Sequence, residues 1–137
     1  MMKIKKRATI LLAIISMFAI SIPTMASGYL KTIYLLPNQV WTDRYDHTGV
    51  RTGSYSYVDV TCHSVYPESG RDTYSKMQVR LADTYGNDLS SIYTIKEATG
   101  ANKVYLLEGY LNITNIYYEF RGNSSSDAYA SVTYEDK

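Results

Sequence analysis

Residues 75–83 read SKMQVRLAD, in which polar and apolar side chains alternate. Met77, Val79 and Leu81 share one parity, and the residues between them are polar. Because side chains on a β-strand point alternately to opposite faces, this pattern predicts a strand with one face in a core and the other in water. The same period recurs along the chain, and no window carries an apolar stripe of helical period. The sequence therefore predicts an all-β protein.

Further strands are predicted wherever alternation is bounded by turn residues. They lie at 30–36, 40–42, 54–66, 91–97, 104–108, 116–121 and 130–135. The segment 122–127, GNSSSD, is predicted to join the last two strands as an antiparallel hairpin. Seven or eight short strands separated by turns predict a single antiparallel β-sandwich of immunoglobulin-like format, with a small β-barrel as the second choice.

Cys62, the only cysteine, lies in the longest predicted strand. By parity it shares a face with Val58, Val60 and Tyr66, so we expect a buried thiol that packs as a small hydrophobe. An intermolecular disulfide and a reactive thiol remain alternatives. His63 is adjacent but points to the opposite face of the strand, which argues against a thiol and imidazole pair.

The first 26 residues have the layout of a secretory signal. Four basic residues between Lys3 and Arg7 precede an uncharged apolar run from Ala8 to Ile20, and small residues follow at Thr24 to Ala26. We expect cleavage after Ala26 or Ser27, a secreted extracellular product, and a sandwich domain spanning residues 27–137. Contact with a membrane is then expected only during export, although an uncleaved anchor is an alternative.

Charge separates the leader from the rest of the chain. Of the 14 basic residues four lie in the leader, so 10 basic and 13 acidic residues remain after it, a net charge of −3. A protein that binds nucleic acid needs an excess of cations to replace the counterions of the phosphates. The sequence therefore predicts no nucleic-acid partner.

No residue pattern points to catalysis or to a bound cofactor. The sequence lacks a serine-nucleophile turn, a phosphate-binding glycine loop, a zinc-binding helix and a dinucleotide fingerprint. A metal site would require His47 and His63 to meet, with a carboxylate such as Asp43, Asp46 or Asp59, and nothing in their spacing requires it. We expect no metal, no cofactor and no enzyme activity. A hydrolase with carboxylates from distant strands is a weaker alternative.

Tyrosine is the compositional oddity, because all 15 tyrosines follow the leader. Tyrosine suits strands and cross-strand pairs, so most are expected to hold the sheets together. A subset falls on the parity that faces water: Tyr55, Tyr57, Tyr117 and Tyr129. A rigid side chain with apolar area and a hydroxyl is typical of binding surfaces, and we predict such a surface here. The alternative is a ladder that only stabilises exposed strands.

A leader followed by about a hundred residues rich in tyrosine and serine resembles, in layout, small secreted proteins of Gram-positive bacteria, including bacteriocins of the lactococcin-972 type. No residue motif carries this resemblance, so it implies no site residue. We expect a secreted, non-catalytic protein that recognises a cell-surface protein or glycan. The alternative is a secreted bacteriocin-like antagonist.

Overall fold

The computed structural model describes residues 30–67, 76–122 and 127–137, which form two antiparallel four-stranded sheets packed face to face. The predicted all-β sandwich is confirmed. The leader and its cleavage site lie outside the described residues. The strands are β1 (Lys31–Leu35), β2 (Thr48–Val50), β3 (Tyr57–Pro67), β4 (Lys76–Ala82), β5 (Tyr93–Lys96), β6 (Ala101–Tyr105), β7 (Asn115–Gly122) and β8 (Ala128–Glu135).

The strand order is β1-β8-β3-β6 in one sheet, sheet A, and β2-β7-β4-β5 in the other, sheet B. The predicted hairpin between the last two strands is wrong, because β7 pairs with β2 and β4 whereas β8 pairs with β1 and β3. β7 and β8 therefore lie in different sheets, and the segment 123–126 between them is outside the described residues. The two strands meet face to face instead, and the rings of Tyr118 and Tyr134 stack with their centroids 4.1 Å apart.

The core lies between the sheets and follows the predicted parity. Met77, Val79 and Leu81 are fully buried, as are the inward residues of β7, and the inward residues of β8 are at most 8% exposed. Cys62 is also fully buried and free, so its predicted place in the core is confirmed. Each fully buried aliphatic or aromatic side chain contributes about 1.5–3 kcal/mol relative to exposure.

A β-bulge interrupts β3 and reverses the parity beyond it. The register with β8 shifts between Cys62 and Ser64. A bulge places one extra residue on one strand, so every later side chain changes face. Val65 consequently points inward at 5% exposure and Tyr66 outward at 51%. The prediction that Tyr66 shares the core face of Cys62 is therefore wrong.

The segment between β1 and β2 contains two short 3-10 helices, Pro37–Gln39 and Arg44–Asp46. The strand predicted at 40–42 is absent, yet Thr42 still extends the edge of β7. Its amide donates to the carbonyl of Phe120 at 2.9 Å, and its hydroxyl accepts from the Phe120 amide at 3.0 Å. This segment thus covers the β7 edge beyond the end of β2.

A third short 3-10 helix, Glu108–Tyr110, follows β6. None of the helices in the described part of the chain is long and apolar enough to cross a membrane.

Candidate binding surface

Three tyrosines form a row across the outer face of sheet A. Tyr34 on β1 pairs with Tyr129 on β8, which pairs with Tyr66 on β3. Side chains directly opposite each other on neighbouring strands are close enough for their rings to touch. The ring centroids are 5.2 Å apart for Tyr34 and Tyr129 and 5.9 Å for Tyr66 and Tyr129. We call this set the Tyr129 row. Its rings are tilted by 50° and 32°, so they form a ridged surface rather than a flat one.

A second row lies near the other end of β3. It consists of Tyr55, Tyr57 and Tyr105, and we call it the Tyr57 row. Tyr57 pairs with Tyr105 across β3 and β6, with ring centroids 5.6 Å apart, and Tyr55 lies 5.5 Å from Tyr57. The ammonium group of Lys103 lies 4.7 Å from the centre of the Tyr57 ring. This cation–π contact gives the second row a positive charge.

A polar strip separates the two rows. Each row includes one residue of β3, Tyr57 in one row and Tyr66 in the other. At about 3.3 Å per strand residue, these two positions are roughly 25–30 Å apart along the strand. Between them a ring nitrogen of His63 lies 2.8 Å from the hydroxyl of Thr133. Lys137 forms ion pairs there with carboxylates of β3 and β8. A small ligand can therefore contact one row but not both.

Tyr117 lies on the opposite side of the molecule, on the outer face of sheet B. Its ring meets that of Tyr45 edge to face at 5.6 Å, and the Thr84 hydroxyl lies 3.4 Å from the Tyr117 hydroxyl. The four tyrosines predicted as site residues therefore do not share one surface. Tyr129 joins one row of sheet A, whereas Tyr55 and Tyr57 join the other.

Charged groups paired among themselves occupy much of the outer face of sheet B. The guanidinium groups of Arg80 and Arg121 each lie 4.3 Å from the ring centre of Trp41. Arg80 also donates to the buried carboxylate of Glu119 at 2.5 Å, and Arg121 donates to Gln78 at 2.6 Å. Since these groups already have partners, the arrangement serves to hold Trp41 and the sheet together.

A cleft of about 330 Å³ lies beside β1, between the edge of the sandwich and the segment that carries the second 3-10 helix. Asp43 begins this helix, and its carboxylate accepts a hydrogen bond from the amide of Tyr45 at 2.9 Å. Such capping fixes the side chain at the helix start. The cleft is lined by Tyr34, Leu36, Thr42, Asp43, Asp46 and His47.

His47 is half-buried in this cleft, and its ring meets that of Phe120 edge to face at 5.4 Å. Burial lowers the pKa of His47, and the nearby charge of Lys31 lowers it further, while Asp46 opposes both. The imidazole is therefore neutral at neutral pH, with one nitrogen able to donate and the other able to accept a hydrogen bond.

Tyr34 belongs to both the cleft and the Tyr129 row. Its hydroxyl donates to the carboxylate of Asp127 at 2.6 Å. The row and the cleft are therefore continuous at this side chain, and they place three aromatic rings next to a recess lined in part by two acidic residues.

A second cleft of about 330 Å³ lies at the turn after β4. Asp83 there accepts hydrogen bonds from the amides of Tyr85 and Asn87 and from the Asn87 side chain, each at 2.8 Å. Burial alone would raise the pKa of Asp83, but the hydrogen bonds from Asn87 and Tyr85 outweigh it and lower the pKa. This carboxylate therefore stabilises its own turn.

The remaining chemically reactive groups do not converge. His47 lies in the cleft, whereas His63 lies on the outer face of sheet A. Among residues 30–67, 76–122 and 127–137 no three His, Cys, Asp or Glu side chains are placed to hold a metal ion. Burial raises the pKa of Cys62 to about 11, with a smaller contribution from the charge of Glu97. The group is thus a thiol rather than a thiolate at neutral pH.

Sequence reasoning missed three of the six tyrosines in the two rows. Tyr34 and Tyr105 had no clear signal, because each shares its parity with leucines in the predicted strands, Leu30 and Leu36 for Tyr34 and Leu107 for Tyr105. Tyr66 had no signal either, because the bulge reverses its parity.

No protein-family model matches the chain, and no curated protein is significantly similar to it in sequence. The fold and the aromatic surface are therefore what define its class, a β-sandwich with tyrosine rows on one outer face.

Proposed function

We propose that the protein is an exported, non-catalytic binding protein that recognises a cell-surface protein or glycan through the outer face of sheet A. The observation that carries this proposal is the direct cross-strand register of the Tyr129 row. Tyrosine rings offer apolar contact area and a hydroxyl while losing little conformational entropy on binding. Three in line form a surface of that kind.

Exposure supports the proposal. Tyr66 on β3 and Tyr55, which lies just before β3, are each 51% exposed. A ladder that only stabilises the sheet would also bring the rings into contact. The two functions differ in one measurable respect, since recognition requires that removing the rings weakens binding while the fold persists.

The test compares serine variants of the two sheets. Tyr66→Ser with Tyr129→Ser removes most of the Tyr129 row, and Tyr55→Ser with Tyr57→Ser removes most of the other. Tyr117→Ser is the matched control. Retention on whole cells and on isolated cell wall would be measured in each case. Loss of a central aromatic contact costs about 2 kcal/mol or more, so we expect roughly 30-fold weaker retention for at least one row variant.

Circular dichroism and thermal unfolding must show that the variants remain folded. Unchanged retention by both folded row variants would overturn the proposal, as would an equal loss with Tyr117→Ser. The alternative function, antagonism, has its own readout. A zone of growth inhibition around the purified wild-type protein that is absent with the row variants would show that the tyrosine rows serve an antagonistic protein.

Export has its own test. N-terminal sequencing of the protein from culture supernatant should begin at Ser27 or Gly28. A chain that keeps Met1 and sediments with the membrane fraction would contradict cleavage and release.

A further inference from the structure

We propose that the cleft beside Tyr34 binds the terminal sugar of an uncharged or amine-bearing glycan chain, and that the Tyr129 row binds the sugars that follow it. This inference rests on the proposed function and names the ligand class of the same surface. Its basis is that Tyr34 lines the cleft and also begins the row. A ligand leaving the cleft along this face therefore meets Tyr129 and then Tyr66.

The size of the cleft limits what it can hold. Its volume of about 330 Å³ lies at the lower end of the range of about 300–1,000 Å³ that is typical of small-molecule sites. One small ring fits, and a longer ligand must continue outside. The rings of the adjacent row, spaced 5.2 and 5.9 Å apart, offer that continuation a repeated apolar contact. A polymer of sugar rings has the matching repeat of apolar ring faces and hydroxyls.

The charge of the cleft selects among sugars. Two carboxylates, Asp43 and Asp46, line it, and Asp127 bonds to Tyr34 at its border. No lysine or arginine is among its lining residues. Lys31, the cation that acts on His47, donates a hydrogen bond to Tyr134 and lies 4.3 Å from the centre of that ring. Carboxylates accept hydrogen bonds from sugar hydroxyls and attract amines, whereas they repel acidic sugars.

The same features favour a glycan over a protein. A protein interface concentrates its energy in a central cluster that a rim shields from water. Here the aromatic row ends in a recess at the edge of the sandwich that Asp43 and Asp46 help to line, and the neutral His47 adds a donor and an acceptor there. Hydrogen-bonding groups in an edge recess with rings leading away from it suit the end of a chain.

The binding test uses immobilised oligosaccharides of increasing length, in uncharged, amine-bearing and acidic series. We expect binding of uncharged or amine-bearing chains that strengthens with length until the row is covered, and no binding of acidic chains. Asp46→Asn should weaken binding at every length by tenfold or more, because a hydrogen bond to a charged group contributes about 1.5–3 kcal/mol. Asp88→Asn, on the side of sheet B, is the control.

Tyr66→Ser separates the two parts of the site. It should weaken the binding of long chains and leave the shortest bound chain unaffected, because only long chains reach β3. Equal loss at all lengths would contradict the proposed direction of the ligand. Unchanged affinity of the Asp46→Asn variant would exclude the cleft as part of the binding site.

Different results would contradict the proposed ligand class and the proposed function. Retention that depends on Tyr66 can still come from a protein partner. The glycan inference is wrong if such retention is found while no oligosaccharide binds, or if protease treatment of the cells removes it. If retention on cells is independent of both tyrosine rows, the proposed function itself is wrong.

Discussion

The carboxylate of Asp136 accepts a hydrogen bond from the hydroxyl of Tyr118 at 2.5 Å, where the chain leaves β8 and passes beside sheet B. Its second oxygen accepts from the amide of Val50 at 3.1 Å. Tyr118 is fully buried, and burial together with the Asp136 bond raises the pKa of its hydroxyl far above the ordinary value. The tyrosine is therefore a neutral donor, and Asp136 connects the end of sheet A to two strands of sheet B.

Asp136→Ala should lower the free energy of unfolding by about 1–3 kcal/mol, because it leaves a buried hydroxyl without an acceptor. Urea unfolding followed by the fluorescence of Trp41, the single tryptophan, measures the change. Tyr118→Phe removes the donor as well, so the double variant should lose less than the sum of the two single variants. Additive losses would show that the two side chains do not interact. Lys137→Ala removes two partly exposed ion pairs and a contact with the Tyr55 ring, and it should cause a smaller loss than Asp136→Ala.

Gly49 faces the same carboxylate across a very small gap. A Cβ added at this position would lie 2.2 Å from an oxygen of Asp136, closer than any real contact. Gly49→Ala should therefore destabilise the protein by displacing Asp136. In an Asp136→Ala background the same substitution should cost markedly less. A cost that is equal in the two backgrounds, measured by urea unfolding, would show that the clash is with something else.

Arg51 holds two loops together from a buried position. Its guanidinium donates to the carbonyls of Leu111 at 3.3 Å, Ile113 at 2.7 Å and Tyr55. These bonds are partly buried, and a hydrogen bond to a charged group contributes about 1.5–3 kcal/mol, so Arg51→Ala should cost about 3 kcal/mol or more. Arg51→Lys should restore little, since an ammonium group lacks the planar fork that reaches several acceptors. Thermal unfolding checks both, with Lys96→Ala as an exposed control. A lysine variant as stable as the wild type would contradict this account.

The parity of side chains could be predicted from the sequence, but the partner of each strand could not. Alternation places Met77, Val79 and Leu81 in the core because it depends only on the strand itself. Pairing depends on contacts far along the chain, and β7 and β8 satisfy the same alternation whether they lie in one sheet or face each other in two. The short strand β2, with three residues, is too brief to show any period.

The candidate site was predicted only in part for a similar reason. Tyr55, Tyr57 and Tyr129 were identified because they follow regular parity. Tyr66 was assigned to the wrong face because a single extra residue at the bulge is invisible in a pattern of alternating residues. The cleft joins β1 to the 3-10 helix at Arg44–Asp46, and no local pattern reports that contact between distant segments.

His47 should make stability depend on pH in the weakly acidic range. Its pKa is lowered in the folded protein by burial and by Lys31, against the effect of Asp46. The unfolded chain then binds more protons than the folded one, so stability is complete above the ordinary histidine pKa of about 6.5 and falls as the pH drops toward the folded value. Thermal unfolding between neutral pH and the range where carboxylates titrate should show this slope, and His47→Gln should flatten it. An unchanged slope in the variant would assign the effect to another group.

Cys62 should be unreactive toward thiol reagents in the folded protein. It is fully buried, and its pKa of about 11 leaves almost no thiolate at neutral pH, whereas the thiolate is the reactive form. A chromogenic disulfide reagent should therefore react only after denaturant is added, at a rate that follows unfolding. Thr94→Cys, on an exposed position of β5, should react at once and is the positive control. A disulfide-linked dimer of the wild-type protein on non-reducing electrophoresis would contradict burial, because forming it requires the strand that carries Cys62 to open.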